Sequence, residues 1–583
     1  MIATATTPLH AQRILAVANN ATGLGNGSSW NDAYTDLQPA LAAAVSGDEI
    51  WVRTGAYYPG AVGSRTATFA LKNGVRLYGG FTGSETSREQ RDPARNETIL
   101  SGDLSRNDQA NFVNYAENSY HVVTGSGTDA TAVLDGFVIQ AGNASGSTSL
   151  YNSGAGMKND HGSPTVANCV FRANLGKVAG ALLNLAASPV LTNCVFSNNV
   201  AQSTFARGGA IYNTAGSAPY FSDCSFVTNR ALSVGSVVSG IDGGAVFIEA
   251  AAPAAFVRCT FAANRSATTE PNAATGGAVS SLSGGVTFQQ CAFWNNSSGA
   301  GGAVWNGGTN FSFVNCAFGG NLAASGGALL NFSSTGALAG CTFAGNFASD
   351  GGGVLNDLNS QAQIRNCILW SNIATNATTT LRAQVRNQNG ASNSAAFSCV
   401  QGLFVQQPGE PPPTLAIFPG CTSADPLFAD ASQQRFHLRL GSPCVDAGDN
   451  SALPGASPRD LDRGARFVNE PLTADAGTGS PPLADMGAYE YQGVVPEQIS
   501  EPVAGRETVG GVANFTLTYR RDRRLTNVTV RAESSLDVFP AQWLASGLEF
   551  NEAGQDATIT TFKAISPLNS QPRRFHRLKI TRP

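Results

Sequence analysis

The chain has 583 residues, 65 of them glycine, with 13% charged side chains and a net charge of −4. So slight a charge makes no case for nucleic acid or an anionic membrane as partner. No apolar run reaches the roughly 20 residues of a membrane span, and eleven cysteines without a CxxC pair exclude a zinc ribbon or thioredoxin-type centre. High glycine with low charge predicts a turn-rich, all-β chain.

Residues 1–12 (MIATATTPLHAQ) end in Leu9-His10-Ala11, as the tail of a cleaved secretory signal would, although the basic start and long apolar core are missing. An ordinary disordered terminus is the alternative. The stretch 19–30 is a Gly/Asn/Ser turn region. Residues 37–45 carry apolar side chains at helical spacing, and Ser46-Gly47-Asp48 stops them. A helix here would cover the open edge of a first coil. Alternation predicts a strand at 49–53, with shorter strand-like pieces at 67–71, 75–78, 98–100 and 121–124.

The repeats begin near 134–140 and are clearest in three aligned copies, CAFWNNSSGAGGAVWN, CAFGGNLAASGGALLN and CTFAGNFASDGGGVLN. Their cysteines, Cys291, Cys316 and Cys341, are 25 residues apart, and Cys367 follows after 26. A fixed period of this size signals a solenoid. Cys and Phe of Cys-x-Phe point to one side of a strand, hence inward. The Asn that closes a turn and the Gly-Gly pair are read as corners with left-handed backbone. The full ladder is Cys169, Cys194, Cys224, Cys259, Cys291, Cys316, Cys341, Cys367 and Cys399, and all but the last have Asn five residues on. Cysteines recurring once per coil read as free, buried thiols. Cys421 and Cys444 lie outside the ladder and are the disulfide candidates in an exported protein.

Spacing within the ladder locates a candidate working surface. From Cys to the second Gly is 11 residues in the coils starting at 169, 291, 316 and 341, but 15, 20 and 18 in those starting at 194, 224 and 259. From that Gly to the next Cys is always 14 or 15. Extra residues therefore fall at one corner of three consecutive coils, where repeat proteins carry function. On that ridge Arg230 and Arg265 each follow the turn Asn, so one stands above the other, and Arg207 and Phe205 lie nearby. An acidic glycan would neutralise the arginines while Phe205 stacks on a sugar ring. Alternatively Asp242 and Glu270 neutralise them within the loops.

Acids are few between Cys169 and Cys399: Asp223, Asp242, Glu249, Glu270, Asp350 and Asp357. A glycosidase needs two facing carboxylates. Asp242 and Asp350 occupy equivalent positions four coils apart, about 19 Å at the 4.8 Å spacing of strands, too far for a dyad. The five histidines are scattered. No catalytic residues emerge. Near the C-terminus, Asp446, Asp449, Asp460, Asp462 and Asp485 come from turns and are a candidate calcium set, with backbone capping as the alternative.

The GGA and Phe-x-x-Asn pattern resembles the repeat of chlamydial polymorphic outer-membrane proteins and, more broadly, right-handed parallel β-helix proteins of the pectate-lyase-like superfamily. The opening SGDEIWVRTGAYYPG, FALKNGVRLYGGFTGSETSREQRDP and ILSGDL resembles the start of large bacterial secreted β-helix proteins. DPLFAD, FHLRLGSPCVDAGDN, RDLDRGAR and ADMGAYEY, within 425–491, resemble the choice-of-anchor Q region. The resemblance spans about 14–493 and implies an all-β, right-handed parallel β-helix, with no LPxTG-like signal present. Residues 494–583 change to alternating strands with an Arg/Lys-rich end, predicting a small β-sandwich. The expected layout is a signal remnant over 1–12, an N-terminal cap and first coils over 13–125, repeats over 126–402, a helix end over 403–493 and the small domain over 494–583. The expected role is an exported bacterial cell-surface or extracellular protein, acting as rigid adhesin, spacer or glycan- or partner-binding element. A polysaccharide lyase or hydrolase and a self-assembling surface element are the alternatives.

Overall fold

The computed structural model describes residues 12–492, apart from 235–239, 250–253, 269–272, 406–413, 415 and 454–458, and also the backbone of six strands between 503 and 581. Residues 1–11, with the signal-like stretch, lie outside it. Three long parallel sheets stack their strands in simple chain order, with thirteen, twelve and eleven strands. Each coil contributes one strand to each sheet. A thirteen-strand sheet at about 4.8 Å per step is about 58 Å long. The chain is a parallel β-helix, as the period predicts.

Two columns of phenylalanine fill the interior. Phe171, Phe196, Phe226, Phe261, Phe293, Phe318 and Phe343 stack with centroids 4.4–5.0 Å apart. Phe221, Phe256, Phe288 and Phe313 form a second column meeting the first edge-on. The nine ladder cysteines are buried free thiols, and so are Cys421 and Cys444. The expected disulfide is absent: Cys421 joins the main core, whereas Cys444 packs beside Cys399 in a second cluster.

The corners differ from the expectation in one respect. The left-handed residue is the one before each ladder Asn, as at Ala173, Asn198, Thr228, Ala263 and Asn295, and the one before each ladder Cys up to Cys367, as at Asn168, Asn193 and Asp223. The ladder Asn itself turns inward. Asn174, Asn199, Asn229, Asn264, Asn296, Asn321, Asn346 and Asn372 form a continuous amide column, each Nδ2 donating to the next Oδ1 at 2.8–3.0 Å. Gln384 closes it by accepting from Asn372 at 2.7 Å. A second column, Asn159–Asn184–Asn213 and Asn306–Asn331–Asn356–Asn387, is interrupted where Ile248 and Ser281 take the Asn position.

The N-terminal helix, Leu37–Ala43, is capped by the Asp36 carboxylate, which accepts the Gln38 N–H at 2.8 Å. Its buried Leu37, Ala40 and Leu41 join the core of the first coil with Leu15, Val17, Ile50 and Val52, giving the expected cap. Beyond Cys399–Val400 the chain does not simply finish the stack. It forms the antiparallel pair Phe428–Asp430 and Arg435–Leu438 and folds back over the second sheet, where Phe428, Phe436, Met486 and Tyr489 pack on Ala317, Ala344 and Ile368. In the C-terminal part, Val503–Val509, Val512–Asp522, Ile559–Pro567 and Glu549–Gln555 form one antiparallel sheet, and Thr529–Ser535 pairs with Phe575–Thr581. This small all-β unit fits the expected sandwich-like domain.

Candidate functional site

A fourth, short sheet runs along this corner through Leu175–Gly176 of an unswollen coil and Val200–Ser203, Arg230–Ser233 and Arg265–Ala267 of the three swollen ones. In the swollen coils, Ile241–Asp242 pairs with Ala274–Thr275 behind it. Ala201, Ala206, Ala231, Ile241 and Ala274 close a small core between the two layers. The described residues of this corner thus form a two-layered ledge, and small side chains allow the layers to approach.

Arg230 and Arg265 pair in parallel register on this ledge, and both are exposed. Neither makes an ion pair among the described residues. Like charges on neighbouring rungs repel, though solvent weakens the effect for exposed side chains. Arg265 borders a groove of about 460 Å³ lined by Ser266, Thr268, Ser297, Ser298 and Leu322. Hydroxyls, one cation and an apolar wall are the chemistry that meets a sugar acid. Phe205 is 54% exposed.

Arg207 and Asp242 have other duties. Arg207 is 3.4 Å from both Asp242 and Glu249 and lies over the Phe247 ring at 4.8 Å. Asp242 also accepts from Thr275 Oγ1 at 2.7 Å, and burial raises its pKa against those partners. Asp242 thus neutralises Arg207, not the Arg230–Arg265 pair. Glu270 lies outside the described residues.

The other described acids of the repeats are likewise engaged. Asp223 binds Arg258 at 2.6 Å and Arg463 at 2.7 Å, Glu249 accepts the Tyr212 hydroxyl, Asp350 pairs with Arg386 and Asp357 takes the Asn389 amide at 2.6 Å. Asp242 and Asp350 are separated by the rungs of Thr275, Ala300 and Ser325. Asp242 and Asp350 are therefore not arranged as a dyad.

A larger groove, about 880 Å³, escaped the sequence reading. It lies between the loop carrying Arg88–Ala94 and the corner of Asn168, Asn193 and Val195. On its floor Asp135 is held by Arg91 at 2.7 Å and by the Asn168 amide at 2.8 Å, which in turn accepts from Asn193 at 2.8 Å. The loop's alternating Arg, Glu and Asp were the available signal, but the coil they would face could not be read from spacing.

The five C-terminal aspartates do not gather around one point. Asp446, Asp449, Asp460 and Asp485 cap backbone N–H groups of Glu470, Ser451, Gly464 and Tyr491 respectively, while exposed Asp462 pairs with His437 at 2.5 Å. The cation at the centre is a side chain. Wholly buried Arg466 donates to the carbonyls of Asp485 and Gly487 at 2.8 and 2.5 Å and lies 3.6 Å from Glu490. Backbone capping, the alternative reading of these aspartates, is seen at four of the five, beside an internal guanidinium.

Residues 148–318 match the family model of a right-handed β-helix region. The structure is similar to that of pectate lyase Pel9A, with 17% identity, 83% of this chain and 97% of the other covered and a TM-score of 0.33. A rhamnogalacturonan lyase matches at 11% identity over 70% of this chain and 97% of its own, with a TM-score of 0.28. No curated protein matches. With the parallel sheets described above, the chain is a right-handed parallel β-helix.

Proposed function

We propose that this chain is an exported, non-catalytic β-helix whose swollen corner binds an anionic polysaccharide at the surface of a bacterium. The observation that carries the reading is the in-register, exposed Arg230–Arg265 pair, without an ion-pair partner among the described residues, beside a hydroxyl-lined groove. Repulsion built into a rigid ledge is relieved by an anion that bridges both arginines, and successive carboxylates of a uronate polymer supply such anions. Catalysis is the weaker reading, because the described acids of the repeats already hold arginines or hydroxyl and amide donors.

Arg230→Ala together with Arg265→Ala tests the ledge. Retention of the full chain on immobilised polygalacturonate should fall at least about tenfold, consistent with loss of two charge-assisted contacts, with thermal stability unchanged or slightly raised. Equal retention of the double variant overturns the reading. Growth of the ultraviolet absorbance of unsaturated uronate products in the same mixture would establish a lyase instead.

A further inference from the structure

Another site lies on the loop between the strands Thr98–Ser101 and Val123–Thr124, close to Asn143–Ala144, the first rung of the short sheet. Asp103, Asp108 and Glu117 each offer a carboxylate oxygen, and the three oxygens lie within 4.8 Å of one another. Oxygens sharing one calcium ion at 2.3–2.6 Å cannot be more than about 5 Å apart, so this spacing is that of a common ligand shell.

A second observation points into the same place. Asn118 is wholly buried, and its side-chain Nδ2 donates to Asp108 Oδ2 at 2.7 Å and to the Ala141 carbonyl at 2.8 Å. The Oδ1 of the same planar amide, whose Nδ2 touches the cluster, is buried and has no hydrogen-bond partner. Asp108 Oδ1 and Glu117 Oε2 are also buried and unpartnered. Three acceptor oxygens without a donor, in one loop, are costly unless a cation meets them. Within the loop itself the acids satisfy backbone donors only in part: Asp103 takes the N–H groups of Asn107 and Asp108 at 3.1 and 3.2 Å, and Glu117 that of Ser105 at 3.3 Å. Arg106, Asn111, Phe112 and Asn114 hold left-handed backbone around them.

We infer that Asp103, Asp108, Glu117 and Asn118 form a calcium site that fastens this loop to the start of the ledge. The donor set is all oxygen, which selects a hard cation such as calcium over zinc or copper. Burial, and then the neighbouring Asp103 and Glu117 carboxylates, push Asp108 up to about 7, as crowded like charges should. The loop's anchors reach the ledge directly: Tyr115 donates its hydroxyl to the Ala173 carbonyl at 3.1 Å, and Asn143 donates to the Tyr115 carbonyl at 2.6 Å. The ion therefore sets the first rung of the surface whose later rungs carry Arg230 and Arg265. The inference does not depend on glycan binding.

The test uses the full chain, stripped with chelator and dialysed. Titration with calcium chloride should raise the melting temperature, and terbium should give luminescence sensitised by the adjacent Tyr115 that calcium displaces. Asp108→Asn removes a charge without changing shape. It should leave the metal-free protein as stable as the parent or more so, because like-charge repulsion is relieved, and should abolish both the calcium shift and the terbium signal. Glu117→Gln should do the same, while Tyr115→Phe should dim terbium but keep the calcium shift. A parent chain whose melting temperature ignores calcium overturns the inference, and so does a calcium shift that survives in Asp108→Asn and Glu117→Gln.

Discussion

At the residue scale, the ladder asparagines carry more of the fold's specificity than their count suggests. Asn296 accepts at Oδ1 from both the backbone N–H and the Nδ2 of Asn264 at 3.0 Å, and donates to the Phe261 carbonyl at 2.9 Å and to Asn321 Oδ1 at 3.0 Å. Asn296→Ala would strand the Asn264 backbone N–H in a dry interior. It would also take one partner each from the Phe261 carbonyl, from Asn264 Nδ2, which keeps the Phe226 carbonyl, and from Asn321 Oδ1, which keeps the backbone N–H of residue 296. At about 1–3 kcal/mol for a buried unpaired group, partly relieved by relaxation, the expected loss is about 3 kcal/mol, read from denaturant midpoints at constant m. A loss below about 1 kcal/mol would show that water enters the corner. The thiols beside this column are of the opposite kind. Burial pushes Cys169 up to about 12, so it stays protonated and inert, a small apolar filler.

The Gly-Gly corner shows, at the scale of the element, why the repeat tolerates so little change. Its first glycine, such as Gly301, is left-handed at φ 65°. Its second is required by crowding instead: a Cβ on Gly302 would stand 2.0 Å from the Gly327 carbonyl and 2.8 Å from the Leu322 backbone. Gly345 is the natural comparison, left-handed at φ 66° with open space around its missing Cβ. Gly345→Ala should cost about 1–2 kcal/mol, the left-handed penalty alone. Gly302→Ala should cost at least about 3 kcal/mol, because neighbouring coils must part. Melting curves of the two variants give the comparison; equal losses would mean that the stack spreads freely.

Such corners were legible because each copy repeats the same demand, so counting residues between Cys and Gly found the ledge before any geometry was known. The break in the second Asn column was less visible. Ile248 and Ser281 replace Asn in the swollen coils, leaving Asn213 Nδ2 and Asn306 Oδ1 buried and unpartnered at the two ends. Insertions and a lost ladder fall on the same rungs, which marks these coils as the ones where stability has yielded to another requirement. Contacts between segments far apart in sequence were beyond reach. That Asp223 meets Arg463 as well as Arg258 of the next coil, or that Arg88–Ala94 walls a groove against Asn193, depends on how non-repeating segments fold back.

For the whole molecule, stability is nearly one-dimensional: each coil leans on its neighbours, and the ends and the folded-back segment must be secured separately. The N-terminal end is secured by an ionised acid. Asp48 is buried, which opposes charge, yet the Arg13 side chain at 2.6 Å and the Val45 N–H hold it down to about 2. A depressed folded value gives stability that is present above the unfolded value near 4 and lost as pH falls toward 2. The folded-back segment has the opposite sign. Burial raises Asp485 to about 7, over the opposing N–H bonds of Tyr491 and Asp446 and the nearby Arg466, and burial and then Asp485 raise Glu490. Raised carboxyls favour the folded state while protonated, so their contribution is full below about pH 4 and is lost as pH rises through about 7. The two ends of the rod should therefore loosen at opposite extremes. Hydrogen exchange should show protection over 426–491 falling between pH 5 and 8, after correction for intrinsic rates, while 37–53 stays protected until pH drops below about 4. Uniform loss along the chain would mean that the coils couple the ends into one cooperative unit, against the one-dimensional picture.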